Sequence, residues 1–411
     1  MNREESRAAG CAALRSGHAP ENRALLREIT AGMDSLTDFL AKQYLKTYIP
    51  AGGSKLKLVT GNSGSGKTHF IRRMLGEAEE CGFITVSFSA RDVWMHDFRE
   101  VYLEILRQCD IMTVLRGCAD AIIRSMGYDP EEIPAGKNFL DLLSEKGEGD
   151  ALSRNEIRGQ LRKMFTRNPL LDNTFAACCS LLTGGILGHP LLENSSREMI
   201  LAYMRGDKAV KMAQLRMLGL APSPVTKLNA RYLLRSLCEV IHLAGYPGLL
   251  VAADDMETLL NRNPEDRIHY TRLRREDTYE SIRQLIDDID SMRYVLLMLG
   301  FDRELMDNES FGMKSYQALW MRVQNEIVST RFNRFADIID MDRYGDEFYP
   351  PEVLAEMSRR LAKVLSEEGG EPVRPLTETE AAELQGRAVF GRLGLPYMMN
   401  RMTLEGGNAD A

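Results

Sequence analysis

The eight residues Gly61–Thr68 have the types and spacing of a loop that binds phosphate. They follow the pattern Gly-x-x-x-x-Gly-Lys-Thr, in which glycines let the backbone wrap around a phosphate with its N–H groups pointing inward. Lys67 is expected to reach the β- and γ-phosphates of a nucleoside triphosphate, and the Thr68 hydroxyl is expected to ligate Mg²⁺. The predicted phosphate-binding residues are Gly61, Asn62, Ser63, Gly64, Ser65, Gly66, Lys67 and Thr68.

A cluster of carboxylates follows the apolar run Gly248–Ala253. Asp254 is predicted to hold Mg²⁺ through water, together with Thr68. Asp255 occupies the next position, where many ATPases with a phosphate loop of this pattern have a catalytic glutamate. The aspartate side chain is one methylene shorter than that of glutamate. A shift of about 1 Å can lower a rate on the order of a hundredfold, so hydrolysis is expected to be slow unless Glu257 positions the attacking water instead. The spacing leaves the choice between Asp255 and Glu257 open.

A polar residue is also expected at the end of the strand beginning near Tyr294, where it would contact the γ-phosphate or the attacking water. Phe301 stands at the most obvious position for it. Asp302 is the nearby polar candidate.

Two arginines precede the last predicted strand, at the place where an arginine finger for a neighbouring subunit often lies. Arg334 is the first candidate and Arg331 the second. Both are equally compatible with surface pairs to Asp337 or Asp340. A finger of this kind would imply a homo-oligomer.

Strands must alternate with helices to bring these residues together. Hydrophobic patterns and Gly or Pro punctuation predict five strands at Leu56–Thr60, Phe83–Ser89, Gly248–Ala253, Arg293–Leu299 and Ala336–Met341. Strands that alternate with helices predict an α/β fold with a parallel sheet covered on both faces. The fourth strand is expected between the first and third, as in P-loop ATPases of the additional-strand, AAA+-like type.

The same patterns divide the chain into three parts. Residues 1–54 are predicted to form an N-terminal helical segment, and 55–345 a P-loop ATPase core. A large all-helical insertion at 92–244 interrupts this core, and 346–411 are predicted to form a small C-terminal helical lid. Helices are also expected at about 265–289, 311–331, 352–368 and 378–390.

Composition indicates a globular protein of more than one small module. The 411 residues carry 52 Lys and Arg against 59 Asp and Glu, a formal charge of −7, so mean charge does not favour nucleic acid. Seven cysteines without metal-ligand spacing suit a reducing cytoplasm. The N-terminus shows no signal-peptide pattern. Thr174–Leu192 is uncharged, but glycines and a proline interrupt it, which favours a buried helix over a membrane span.

One predicted helix carries a basic face. Arg154, Arg158 and Arg162 recur at intervals of four residues, opposite an apolar stripe that includes Ile157 and Leu161. Such a face can contact DNA phosphates without sequence specificity. The alternative is the solvated face of a core helix.

The chain resembles the BrxD-like ATP-binding P-loop proteins of BREX-type bacteriophage-resistance islands. The matching segments are Ala13–Gly17 with Pro20, the phosphate loop, Met204–Gly206, Leu218–Gly219 and Ala244–Val251 leading to Asp254. The resemblance implies an AAA+-like, origin-recognition-like ATPase that uses ATP and Mg²⁺. It also implies a cytoplasmic antiviral system with DNA methyltransferase and helicase components.

Three residues depart from the pattern of this family. Asp255 replaces a glutamate, Phe301 a small polar residue, and Tyr397 an arginine expected after Pro396. The complete phosphate loop, the acidic strand end and the predicted lid support the leading hypothesis of a nucleotide-dependent switch or motor that acts on DNA or partner proteins, whereas the three departures motivate its alternative. The alternative is a non-hydrolysing or very slow nucleotide-binding scaffold or regulator. A small-molecule kinase would need an acceptor pocket and a base that the sequence does not identify.

Overall fold

The fold was analysed in a computed structural model, which describes residues 3–260, 267–327, 331–369, 372–388 and 393–406. The described residues contain one five-stranded sheet in which all neighbouring strands are parallel. The strands are β1 (Ser54–Gly61), β2 (Ile84–Ser89), β3 (Leu249–Asp254), β4 (Val295–Asp302) and β5 (Ile338–Asp340). Their order is β2-β3-β4-β1-β5, so β4 lies between β1 and β3. The predicted α/β fold with a parallel sheet is confirmed.

All five predicted strands differ from the observed strands by one to three residues at their ends. β4 continues past Leu299, because it pairs with β1 as far as the partners Gly61 and Asp302. β5 is shorter than predicted, because the Asp340 carboxylate accepts backbone N–H bonds from Asp342 and Arg343 and so caps a helix that starts at Met341.

Helices surround the sheet. The α-helices before β3 are α1 (Arg3–Arg15), α2 (Arg23–Ile29), α3 (Asp34–Leu40), α4 (Lys67–Glu80), α5 (Phe98–Gln108), α6 (Ile111–Ser125), α7 (Phe139–Glu145), α8 (Ala151–Leu161), α9 (Asn173–Leu187), α10 (Asn194–Met204), α11 (Met212–Met217) and α12 (Ala230–Leu243). Those after β3 are α13 (Arg272–Asp288), α14 (Arg303–Asp307), α15 (Gln317–Ile327), α16 (Met341–Phe348), α17 (Pro351–Gly369), α18 (Glu378–Ala388) and α19 (Leu395–Leu404). Short 3₁₀- or π-helical segments lie at Ala41–Tyr48, Pro130–Glu132, Arg162–Thr166, Met256–Leu259, Ile289–Ser291 and Met313–Ser315.

The predicted helices are present, with adjusted ends. The helix predicted at 265–289 begins at Arg272, and the one predicted at 311–331 occupies Gln317–Ile327. Parts of the predictions at 265–289, 311–331 and 378–390 lie outside the described residues. The uncharged stretch from Thr174 contains the buried helix α9. None of the helices in the described ranges combines the length and apolar character needed to cross a membrane.

Alternating side chains direct the two faces of the sheet into two different cores. On one face, Leu297 and its same-facing neighbours pack with the helices between β2 and β3 and with α13 and α15. On the other face, Met298 and its neighbours pack with α1–α4 and α16–α19. The N-terminal and C-terminal helices therefore share one face of the sheet and meet beside the end of β1.

Candidate nucleotide-binding site

The phosphate loop joins β1 to α4 at the carboxyl edge of the sheet. Gly64 and Gly66 have φ angles of +77° and +93°, a region that side chains with a Cβ rarely adopt. Gly66 occupies the N-cap position of α4, so the helix begins at Lys67 with its positive dipole end under the loop. Within the described ranges, the buried Ser65 hydroxyl has no hydrogen-bond partner. The local backbone thus has the left-handed glycines and the helix N-terminus expected of an anion-binding loop.

Lys67 is buried, with 7 % of its surface exposed, and is held by oxygen atoms on three residues. Its Nζ donates to the Asp302 carboxylate at 2.5 Å and to the carbonyls of Gly61 at 3.2 Å and Asn62 at 2.9 Å. Asp302, the last residue of β4, is thus the polar strand-end residue at this site. Phe301, which stands at the most obvious position in the sequence, is fully buried in the core. β4 ends at Asp302, three residues beyond its predicted end, and this last residue contacts Lys67.

Thr68 and Asp254 meet directly. The Thr68 Oγ1 donates to the Asp254 Oδ2 at 2.6 Å, and the Asp255 N–H donates to Oδ1 at 2.9 Å. A Cβ on Gly300 would collide with the Asp254 carboxylate, so the neighbouring strand leaves room for that side chain only because this residue is glycine. Burial raises the pKa of Asp254, although its bond from Thr68 opposes the shift.

The two other acids lie beside Asp254 in different environments. Asp255 has a positive φ of 59°, and its carboxylate accepts a 2.7 Å hydrogen bond from the Ser89 hydroxyl. Burial raises the pKa of Glu257 to about 7, and repulsion from the Asp302 carboxylate is the second cause of this shift. The Nη2 of Arg91 lies 3.6 Å from the Asp255 carboxylate and 3.5 Å from that of Glu257.

A cavity of about 670 Å³ extends from these residues to the N-terminal and C-terminal helices. Its wall includes Lys67, Thr68 and the acids at one side, and residues from 14–33, 349–361 and 393–400 elsewhere. The C-terminal residues contact the loop itself, since Gly394 N–H donates to the Ser63 carbonyl at 2.9 Å and Tyr397 N–H to the Gly64 carbonyl at 3.1 Å. Tyr397 packs against Gly64 and Gly17, at the position where the family pattern places an arginine.

The structure gathers most of the predicted site residues and leaves two apart. The phosphate loop, Asp254, Asp255, Glu257 and Asp302 adjoin one cavity. Neither Arg331 nor Arg334 is among the described residues that line this cavity. Both arginines are exposed, and Arg334 lies over the ring of Phe39 at 5.0 Å.

Several residues at the site were not predicted from the sequence. Ser89 is the last residue of β2 and Arg91 follows it, and the carboxyl end of β2 adjoins that of β3, so their location was available from the strand pattern. Asp342 follows the last strand, and its carboxylate accepts a 2.8 Å hydrogen bond from the Asn62 N–H. Its location was likewise available from the strand pattern. Gly394 contacts the loop although it is more than 300 residues away in the sequence, and no pattern in the sequence predicted this contact.

The residues present suit a magnesium–nucleoside triphosphate complex. The N–H groups of the loop and Lys67 are donors for phosphate oxygens, whereas the Thr68 hydroxyl and the Asp254 carboxylate are the hard oxygen ligands that Mg²⁺ takes. The unpartnered Ser65 hydroxyl offers one further donor at the loop. A five-stranded parallel sheet with this loop defines a P-loop nucleotide-binding protein.

The chain belongs to the family described as BREX system ATP-binding protein BrxC/D, which matches residues 3–401. This confirms the resemblance noted from the sequence segments and establishes an ATP-binding protein of a BREX system. No curated protein and no solved structure matches the chain.

Proposed function

We propose that this protein is a Mg²⁺-dependent ATPase that works as a nucleotide-dependent switch or motor in bacterial defence against bacteriophages. The observation that carries the proposal is the convergence of Lys67, Thr68, Asp254 and Asp302 at the wall of one large cavity. The family supports ATP as the ligand. A non-hydrolysing or very slow scaffold or regulator is the alternative.

The chain's own residues have distinct parts in the proposed reaction. Lys67 would exchange its bond with Asp302 for phosphate oxygens, and the Thr68 hydroxyl and Asp254 would hold the metal ion. When bound, Mg²⁺ would neutralise charge that builds up on the phosphates. Either Asp255 or Glu257 accepts the proton of the attacking water, and Glu257 is favoured by its location near Asp302.

Phosphate release from ATP by the purified full-length chain tests this function. We expect release that depends on Mg²⁺ and stops when the metal ion is chelated. A folded protein that neither binds millimolar ATP nor releases phosphate would contradict the proposal. ATP that stays bound and intact for hours would instead favour the scaffold or regulator.

The wider organisation is proposed on the same basis. The location of β4 between β1 and β3 supports an ATPase core of the additional-strand, AAA+-like type at 55–345, interrupted by a helical insertion at 92–244. Residues 1–54 would form the N-terminal segment and 346–411 a lid. Exposed Arg334 or Arg331 would act as a finger in a homo-oligomer. Methyltransferase or helicase components of the system are the proposed partners, in the cytoplasm.

A second proposed activity is non-specific binding to DNA, which the distribution of charge favours. Residues 151–244 contain 13 Lys and Arg against 6 Asp and Glu, a net charge of +7, while the remaining residues carry −14. Arg154 and Arg162 on α8 and at its end are exposed, and neither pairs with an acid within the described ranges. Arg158 contacts the His189 ring at 2.9 Å. Burial lowers the pKa of His189, and the positive charges of Arg158 and Arg154 lower it further. The segment is therefore positive where the rest of the protein is negative.

The double variant Arg154→Gln/Arg162→Gln tests this surface. We expect the slope of log affinity for duplex DNA against log salt concentration to become shallower by about 1.8, because each lost phosphate contact removes about 0.9. Fluorescence anisotropy at several salt concentrations measures the slope. Lys42→Gln/Lys46→Gln, which removes two exposed cations elsewhere, should leave it unchanged. An unaltered slope in the arginine variant would mean that α8 presents only a solvated face.

A further inference from the structure

The cavity has a second polar feature away from the phosphate loop. Tyr349 and Asn400 both line it, and each has a buried polar atom, the Tyr349 hydroxyl and the Asn400 Oδ1, that finds no hydrogen-bond partner among the described residues. Tyr349 is fully buried, with 0 % of its surface exposed. An unpaired buried polar group destabilises a protein, so two such groups at one cavity indicate partners that a ligand supplies.

The surroundings of these two atoms suit a flat, uncharged group. Lining residues from 29–33, 349–361 and 393–400 are all uncharged, and Met33, Met357, Leu361 and Met399 among them are buried and apolar. Apolar walls with a few convergent polar atoms are typical of sites for the ring systems of cofactors. The nucleobase of a bound nucleotide is such a group, and its phosphates occupy the loop in the function proposed above.

The hydrogen-bonding character of Asn400 is fixed. Its Nδ2 donates to the Leu14 carbonyl at 3.0 Å, so the amide cannot turn over without losing that bond, and the Oδ1 remains an acceptor. The Tyr349 hydroxyl has a proton to donate and no acceptor. An acceptor and a donor at one site match an exocyclic amine and an unprotonated ring nitrogen, which adenine has and which guanine replaces with a carbonyl and an N–H at positions 6 and 1.

We propose that Asn400 and Tyr349 read the adenine base, with Asn400 Oδ1 accepting from the exocyclic amine and the Tyr349 hydroxyl donating to a ring nitrogen. This inference rests on the proposed nucleotide site and adds the residues that select the base. Because Asn400 lies on α19 and Tyr349 directly follows α16, base binding would also tie the C-terminal helices to the N-terminal segment through Leu14.

Tyr349→Phe tests the hydroxyl against a matched control. The substitution removes an atom that is unpaired in the empty protein, so stability without nucleotide should be preserved while ATP affinity falls about 3- to 10-fold. Tyr344→Phe removes a hydroxyl that donates to the Gly32 carbonyl at 2.7 Å and that does not line the cavity. The control should lose stability and keep its ATP affinity. Equal ATP affinity of Tyr349→Phe and the parent protein would overturn the role of Tyr349.

Asn400→Ala tests the amine contact with two probes, ATP and purine riboside triphosphate, which lacks only the exocyclic amine. We expect the parent protein to prefer ATP by about 10-fold or more and the variant to bind both with similar affinity. ATP binding with no preference in the parent protein would overturn the base-reading inference and leave the proposed nucleotide site intact. Binding of neither probe by the parent protein would overturn both.

Discussion

Lys67→Ala is expected to lower ATP affinity by at least about a hundredfold, or roughly 3 kcal/mol. Lys67 is the one cation that bonds directly to the loop carbonyls in the described site, and its amine is within 2.5 Å of Asp302. Without it, the triphosphate would face the carboxylates of Asp254, Glu257 and Asp302, and no other lysine among the described residues lines the cavity, where Arg72 and Arg91 remain. Ligand at about a hundred times its dissociation constant stabilises a protein by roughly 2.7 kcal/mol, so thermal melts with and without Mg-ATP measure the loss.

The control for this variant is Lys42→Ala, because Lys42 is exposed in the segment Ala41–Tyr48 and does not line the cavity. Its nucleotide-dependent stabilisation should match that of the parent protein. Calorimetric titration of both variants gives the affinities directly. If the Lys67 variant binds ATP as tightly as the control, the phosphate loop is not the nucleotide site, and the proposed function is wrong.

Much of the fold followed from short-range patterns. The strands were located from runs of β-forming residues, such as those that lead to Gly61 and to Asp254, and parallel pairing then brought the strand ends to one edge of the sheet. Strand ends were less accurate, since they depend on register. The last residue of β4 is Asp302 because Gly61 pairs with it, and no local pattern in the β4 sequence contains that information.

The candidate site was predictable in the same uneven way. Lys67, Thr68 and Asp254 lie in recognisable local patterns, and their contacts agree with them. The cavity wall formed by Tyr349 and Asn400 depends instead on contacts across more than 300 residues, such as that between Asn400 and Leu14. Side chains that meet only through tertiary packing have no characteristic spacing along the chain, so they cannot be identified as site residues from a single sequence.

Glu257→Gln is expected to slow ATP hydrolysis by about 10²- to 10⁴-fold while ATP still binds. A general base works best when its pKa is close to the working pH, and burial with the nearby Asp302 raises the pKa of Glu257 to about 7. Asp255 is engaged by the Ser89 hydroxyl at 2.7 Å. Asp255→Asn should therefore have the smaller effect on single-turnover hydrolysis, about tenfold or less.

The pH profile provides an independent measure of the same assignment. A base must be deprotonated to accept a proton, so kcat/KM of the parent protein should rise with pH through about 7, the pKa of Glu257 in the free protein. The residual activity of Glu257→Gln should lack this rise, whereas Asp255→Asn should retain it. A larger loss in Asp255→Asn, with the rise still present in Glu257→Gln, would transfer the role to Asp255. In that case the shorter side chain must reach the water from its left-handed backbone at φ 59°, breaking its bond from Ser89.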